Sequence, residues 1–80
     1  MKIKVGDILR AKESMIINVE PDEQDEKVSK GDYFIVIDYG EYKSEDKTYV
    51  GWTLLSQKST SKSRWSKEDC SPMSDHFCKE

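Results

Sequence analysis

Apolar residues fall in short runs along this chain, separated by polar tracts. Ile3, Val5, Ile8 and Leu9 begin with an alternation of period two and change face around Gly6-Asp7. That pattern predicts a first strand over residues 2–11 with a kink or bulge. Met15-Ile16-Ile17-Asn18-Val19 is a β-branched run bounded by polar residues and predicts a second strand. From Glu20 to Lys27 proline is the sole apolar residue, and Glu20, Asp22, Glu23, Asp25 and Glu26 repel one another. Together with a turn at Gly31, where a positive φ costs nothing, residues 20–30 are expected to form an exposed acidic loop.

Tyr33-Phe34-Ile35-Val36-Ile37-Asp38-Tyr39 is the strongest strand signal, almost every position being aromatic or β-branched. It predicts a central strand covered on much of both faces. Strict alternation puts Tyr33, Ile35, Ile37 and Tyr39 on one side and Phe34, Val36 and Asp38 on the other. Beyond Gly40, the polar tip Ser44-Glu45-Asp46-Lys47 separates Glu41-Tyr42-Lys43 from a returning arm over residues 48–55, a long hairpin with a bend at Gly51. Residues 56–64 read as a Ser/Lys-rich basic loop, with Trp65 as an isolated anchor. In residues 66–80, Ser66 with Asp69 and Ser71 with Pro72 are helix-start signals, and Met73 and Phe77 can share one face. A short terminal helical turn is expected there.

The parts Val5-Gly6-Asp7-Ile8-Leu9, Lys30-Gly31-Asp32-Tyr33-Phe34-Ile35-Val36 and Trp65 through Phe77, in this order, resemble the SH3-like small barrels. The resemblance implies a mainly β fold, an antiparallel barrel of about five strands closed by a short C-terminal helical turn, with residues 1–80 as one domain. SH3-like barrels serve as peptide binders, nucleic-acid binders and subunits of larger machines, so the resemblance leaves the partner open. A free-standing acidic chain of 80 residues is also similar to the small bacteriophage accessory proteins that bind and modulate a host protein.

Composition narrows the field. The chain is 35% hydrophobic and 36% charged, polar but not poor enough in apolar residues for disorder. Without a membrane-length apolar stretch or a signal peptide, it is expected to remain cytoplasmic with no membrane contact. Cys70 and Cys78 do not make a disulfide framework and are expected as thiols. The net charge of −3 conceals one basic island, because residues 56–67 carry Lys58, Lys62, Arg64 and Lys67 and no acid.

No catalytic constellation stands out, and the expectation is a non-enzymatic binding protein without cofactor. Cys70, His76 and Cys78 have a spacing that matches no standard zinc module, so no metal site is assigned. The same residues as nucleophile and base would lack enclosure on a terminal turn. The acidic loop lacks the alternating aspartates and central glycine of a calcium loop. It suits a basic protein partner instead, and with the hairpin aromatics gives a protein-binding surface of Glu20, Asp22, Glu23, Asp25, Glu26, Tyr42, Tyr49 and Trp52. The alternative is a DNA- or RNA-binding segment in which Lys58, Lys62, Arg64 and Lys67 meet phosphates and Trp65 stacks on a base. An acidic remainder opposes that use. Open sheet edges also permit pairing with a second copy.

Overall fold

A computed structural model describes residues 2–20, 24–67 and 73–80. It is mainly β. The strands are β1 (Ile8–Ala11), β2 (Met15–Val19), β3 (Gln24–Val28), β4 (Tyr33–Ser44), β5 (Lys47–Ser56), β6 (Lys62–Ser66) and β7 (Phe77–Lys79), with a 3-10 turn at Met73–Asp75. Strands β6-β5-β4-β1-β7 form one five-stranded sheet in that order, with every neighbouring pair antiparallel. Strands β2 and β3 form a separate two-stranded sheet. No helix among the described residues is long and apolar enough to cross a membrane.

The expected closed barrel is not what forms. The β2–β3 hairpin meets the large sheet's edge at one bridge, Glu20 opposite Lys62, where the Glu20 N–H donates to the Lys62 carbonyl at 2.8 Å. Closure would require a continuous ladder around the circumference. The hairpin instead lays its inward residues over one face of the open sheet. Ile17, Val19 and Val28 from the hairpin join Leu9, Ala11, Phe34, Val36, Leu54, Met73 and Phe77 in the core. Phe34 and Phe77 meet edge-on with ring centroids 5.3 Å apart, a favoured aromatic geometry.

Several local expectations are revised. The first strand begins at Ile8 rather than residue 2, because Gly6 at φ 96° turns the chain. That turn is held by the Asp7 carboxylate, which accepts from the Lys4 N–H at 2.9 Å. The expected acidic loop contains strand β3, paired through its whole length with β2 from Val19–Gln24 to Met15–Val28. Backbone pairing outweighs charge repulsion there because the carboxylates project from the strand without being buried among apolar groups. In the basic segment, a turn at residues 57–59 and two connecting residues lead into β6, so residues 62–64 belong to the sheet. The chain end holds the short 3-10 turn, but Phe77–Lys79 is a strand that pairs with β1.

Strand β4 is central in the sheet, yet only the Phe34–Val36 part of its inner face is buried. Phe34 and Val36 are buried and Tyr33 is exposed. A register shift between Val36 and Asp38 then changes the alternation. Val36 lies opposite Leu54 and Tyr39 opposite Trp52. Since Leu54 and Trp52 are two residues apart on β5, Tyr39 shares the inner face with Val36, contrary to strict alternation.

Candidate functional site

The inner-face rung Tyr39–Trp52–Trp65 crosses β4, β5 and β6 at the end of the core. Its two ends have different surroundings. Trp65 is half-buried, meets Phe77 edge-on at 5.2 Å, lies 5.8 Å from the His76 ring, and donates its indole N–H to Ser63 Oγ at 2.9 Å. At the other end Tyr39 is 43% exposed, and its ring centroid is 5.3 Å from that of Trp52 at an interplanar angle of 50°.

The arm before β1 runs beside this outer end. Trp52 Nε1–H donates to the Ile3 carbonyl at 3.2 Å, and the Gly6 N–H donates to the Val36 carbonyl at 2.8 Å. Lys79 Nζ reaches the Lys2 carbonyl and the Asp7 carboxylate, both at 3.3 Å. The Lys4 N–H holds the Asp7 carboxyl below its ordinary value of 3.8 against the opposing effect of desolvation, and Lys79 lowers it further. Asp7 thereby joins the arm's turn to strand β7.

Between the arm and the rung lies an open groove of about 820 Å³, lined by Lys2, Ile3, Lys4, Val5, Tyr39, Trp52 and Lys67. Val5, 55% exposed, and Ile3 form its aliphatic side, and the two rings form its aromatic side. Among the described residues every charged one in the lining is a lysine. In a chain of net charge −3, this is a locally basic, apolar depression.

The two candidate surfaces read from the sequence are divided and recombined. Trp52, from the protein-binding set, and Lys67, from the nucleic-acid-binding set, line the same groove. On the opposite face, Tyr42 and Tyr49 stack at 5.6 Å, and Arg64 lies 5.4 Å over the Tyr42 ring while pairing with Glu20 at 3.2 Å. Asp25 is exposed on β3, and Glu26 accepts a hydrogen bond from Ser61 Oγ at 3.3 Å. Asp22, Glu23 and Cys70 lie outside the described residues.

The basic island does not form one stripe. Lys58 sits in the turn before β6 and Lys67 follows its end, so the whole strand separates them, roughly 16 Å at the usual rise per residue. Lys62 and Arg64 point to the outer face, opposite Leu55 and Thr53. The hydroxyl groups of this segment also serve the fold. Ser56 Oγ accepts from the Lys58 and Ser59 N–H groups at 3.3 and 3.4 Å, and buried Ser63 holds the Trp65 indole.

Among the described residues no group of three His, Cys, Asp or Glu side chains lies together as metal ligands. His76 Nδ1 is 3.7 Å from Glu13 Oε1, and Cys78 is a half-buried thiol on β7. The sequence reading missed Tyr39 and the arm residues Lys2, Ile3, Lys4 and Val5. Tyr39 was hidden by the bulge. The arm falls within the kinked first strand expected over residues 2–11, where the Gly6-Asp7 change of face is the signal of the turn. Comparison of the chain with family models, curated proteins and solved structures finds no match.

Proposed function

We propose that this chain is a non-enzymatic protein-binding module whose contact site is the groove between the Lys2–Val5 arm and the Tyr39–Trp52 pair. The observation that carries this reading is the groove itself: aromatic and aliphatic walls, a lysine rim, and a part-exposed Tyr39 at its mouth. Such a surface supplies an apolar pocket with a few charged groups that orient what enters it. A likeness to the SH3-like domains is proposed from the order of parts alone, a strand, an excursion in a hairpin, a three-stranded meander, a short 3-10 turn and a last strand returning to the first, with an open sheet in place of a closed barrel. On the resemblance to small phage proteins, the partner is a host protein.

Protein contact is favoured over nucleic-acid contact by the distribution of positive charge. Arg64 is paired with Glu20, and Lys62 and Arg64 face outward whereas Lys67 lines the groove on the inner face. A backbone-tracking groove would need them on one face. The test is a photo-crosslinking side chain placed at position 39, and as a control at position 16, where Ile16 is 72% exposed on the hairpin. After irradiation in extract of the source cell, position 39 is expected to give protein adducts that resist nuclease, with little from position 16. Adducts that nuclease removes, or equal yields at both positions, would contradict the reading.

A further inference from the structure

Resting on that reading, we infer that the groove takes an acidic peptide segment carrying one large apolar side chain. The apolar side chain sits among Val5, Tyr39 and Trp52, and carboxylates on either side of it pair with Lys2, Lys4 and Lys67.

The first argument is charge complementarity. Among the described residues the lining holds three lysines and no carboxylate. Asp7, the nearest acid on the arm, is engaged by Lys79 and by the Lys4 N–H. Neither Lys2 nor Lys67 forms an ion pair with a described residue. Like charges gathered at one rim raise the local potential, which draws an acidic ligand in and repels a basic one.

The second argument is shape. The rings of Tyr39 and Trp52 are tilted by 50° rather than coplanar, and Trp52 packs against the core with its indole N–H already committed to Ile3. This makes a notch for a bulky side chain rather than a flat platform for successive bases. The groove volume of about 820 Å³ accommodates a large side chain together with the peptide on either side of it. The arm is held in place by Trp52 to Ile3, Gly6 and Asp7 to Val36, and Lys79 to both Lys2 and Asp7. A pre-formed wall reduces the ordering cost of binding.

The test is a titration of the intact chain, followed by calorimetry at low salt, with four synthetic probes. These are a peptide with one Trp flanked by Glu, the same peptide with Ala for Trp, a Trp peptide flanked by Lys, and a thymidine oligonucleotide. The Glu-flanked Trp peptide is expected to bind, and the Ala and Lys versions to be at least about tenfold weaker. Lys67→Glu should weaken the acidic peptide about tenfold and narrow its advantage over the Lys-flanked one. Tyr39→Ala should reduce binding of the Trp peptide toward that of the Ala version. Lys67 is exposed, so Lys67→Glu keeps the test valid should Tyr39→Ala unfold. Failure of the acidic Trp peptide to bind would overturn the inference, while protein adducts at position 39 would leave the broader reading standing. Preference for the oligonucleotide would overturn both.

Discussion

Tyr39 faces Trp52 across β4 and β5 with ring centroids 5.3 Å apart, because the chain bulges between Val36 and Asp38. One extra residue turns a side chain that alternation would send outward onto the inner face, beside the arm that Trp52 holds through the Ile3 carbonyl. A half-buried indole donor of this kind contributes roughly 1 kcal/mol. Trp52→Phe keeps the ring and removes the donor. Urea unfolding should report a loss of about 1 kcal/mol, and hydrogen exchange should speed up at the Gly6 amide while the Leu54 amide is little changed. Unaltered exchange at Gly6 would mean that the indole does not hold the arm.

Gly51 is buried on β5 opposite Ser66, and a Cβ there would run into the Trp65 carbonyl and the Ser66 Cα. Backbone atoms cannot swing aside as a side-chain tip can. Gly51→Ala should therefore force β5 and β6 apart and destabilise by about 3 kcal/mol, whereas Gly40→Ala, with open space around its position, should cost far less. Thermal unfolding of the two variants checks the contrast. Equal midpoints would contradict the close approach of β5 and β6.

The β4–β5 hairpin turns through Glu45 and Asp46, both at positive φ, 49° and 66°. These are the angles of the two-residue turn that favours Asn-Gly. Replacing Glu45-Asp46 by Asn-Gly should raise stability by about 1 kcal/mol and the melting midpoint by roughly 4–8 °C. A lower midpoint would show that this turn geometry is not the one the chain uses.

Acid should loosen the arm. The folded-state pKa of Asp7 lies below 3.8, so its stabilising effect is complete above that value and is lost as pH falls through the folded value. Asp7→Asn can still accept from the Lys4 N–H but cannot pair with Lys79. Wild type should be the more stable at neutral pH, and the difference should shrink as pH drops below 3.8. A difference independent of pH would remove the charge from the explanation.

The sequence was most informative where one face of an element meets the core. Phe34 and Val36 on β4 share one face, as the alternation from Tyr33 implied, and both are buried. It was least informative where backbone pairing alone makes the strand. Gln24-Asp25-Glu26-Lys27 has no apolar face until Val28, and Phe77–Lys79 is too short for a period to register, yet both pair completely with their neighbours. The bulge at Ile37 has no compositional mark, so the inward turn of Tyr39 was hidden. The groove joins residues 2–5, 39, 52 and 67, which only the sheet order brings together. In the linear chain Lys67 belongs with Arg64, whereas in the fold Arg64 stands over Tyr42 on the other face.

The groove as the contact site is tested most directly by following the two indole N–H signals by nuclear magnetic resonance during titration with the Glu-flanked Trp peptide. Trp52 Nε1–H donates to the Ile3 carbonyl at the groove wall, and Trp65 Nε1–H to Ser63 against the core. The expected result is a progressive shift of the Trp52 signal with the Trp65 signal nearly still, and loss of that shift in Lys67→Glu. Movement of the Trp65 signal alone, or of neither signal while the peptide binds, would contradict the assignment of the groove.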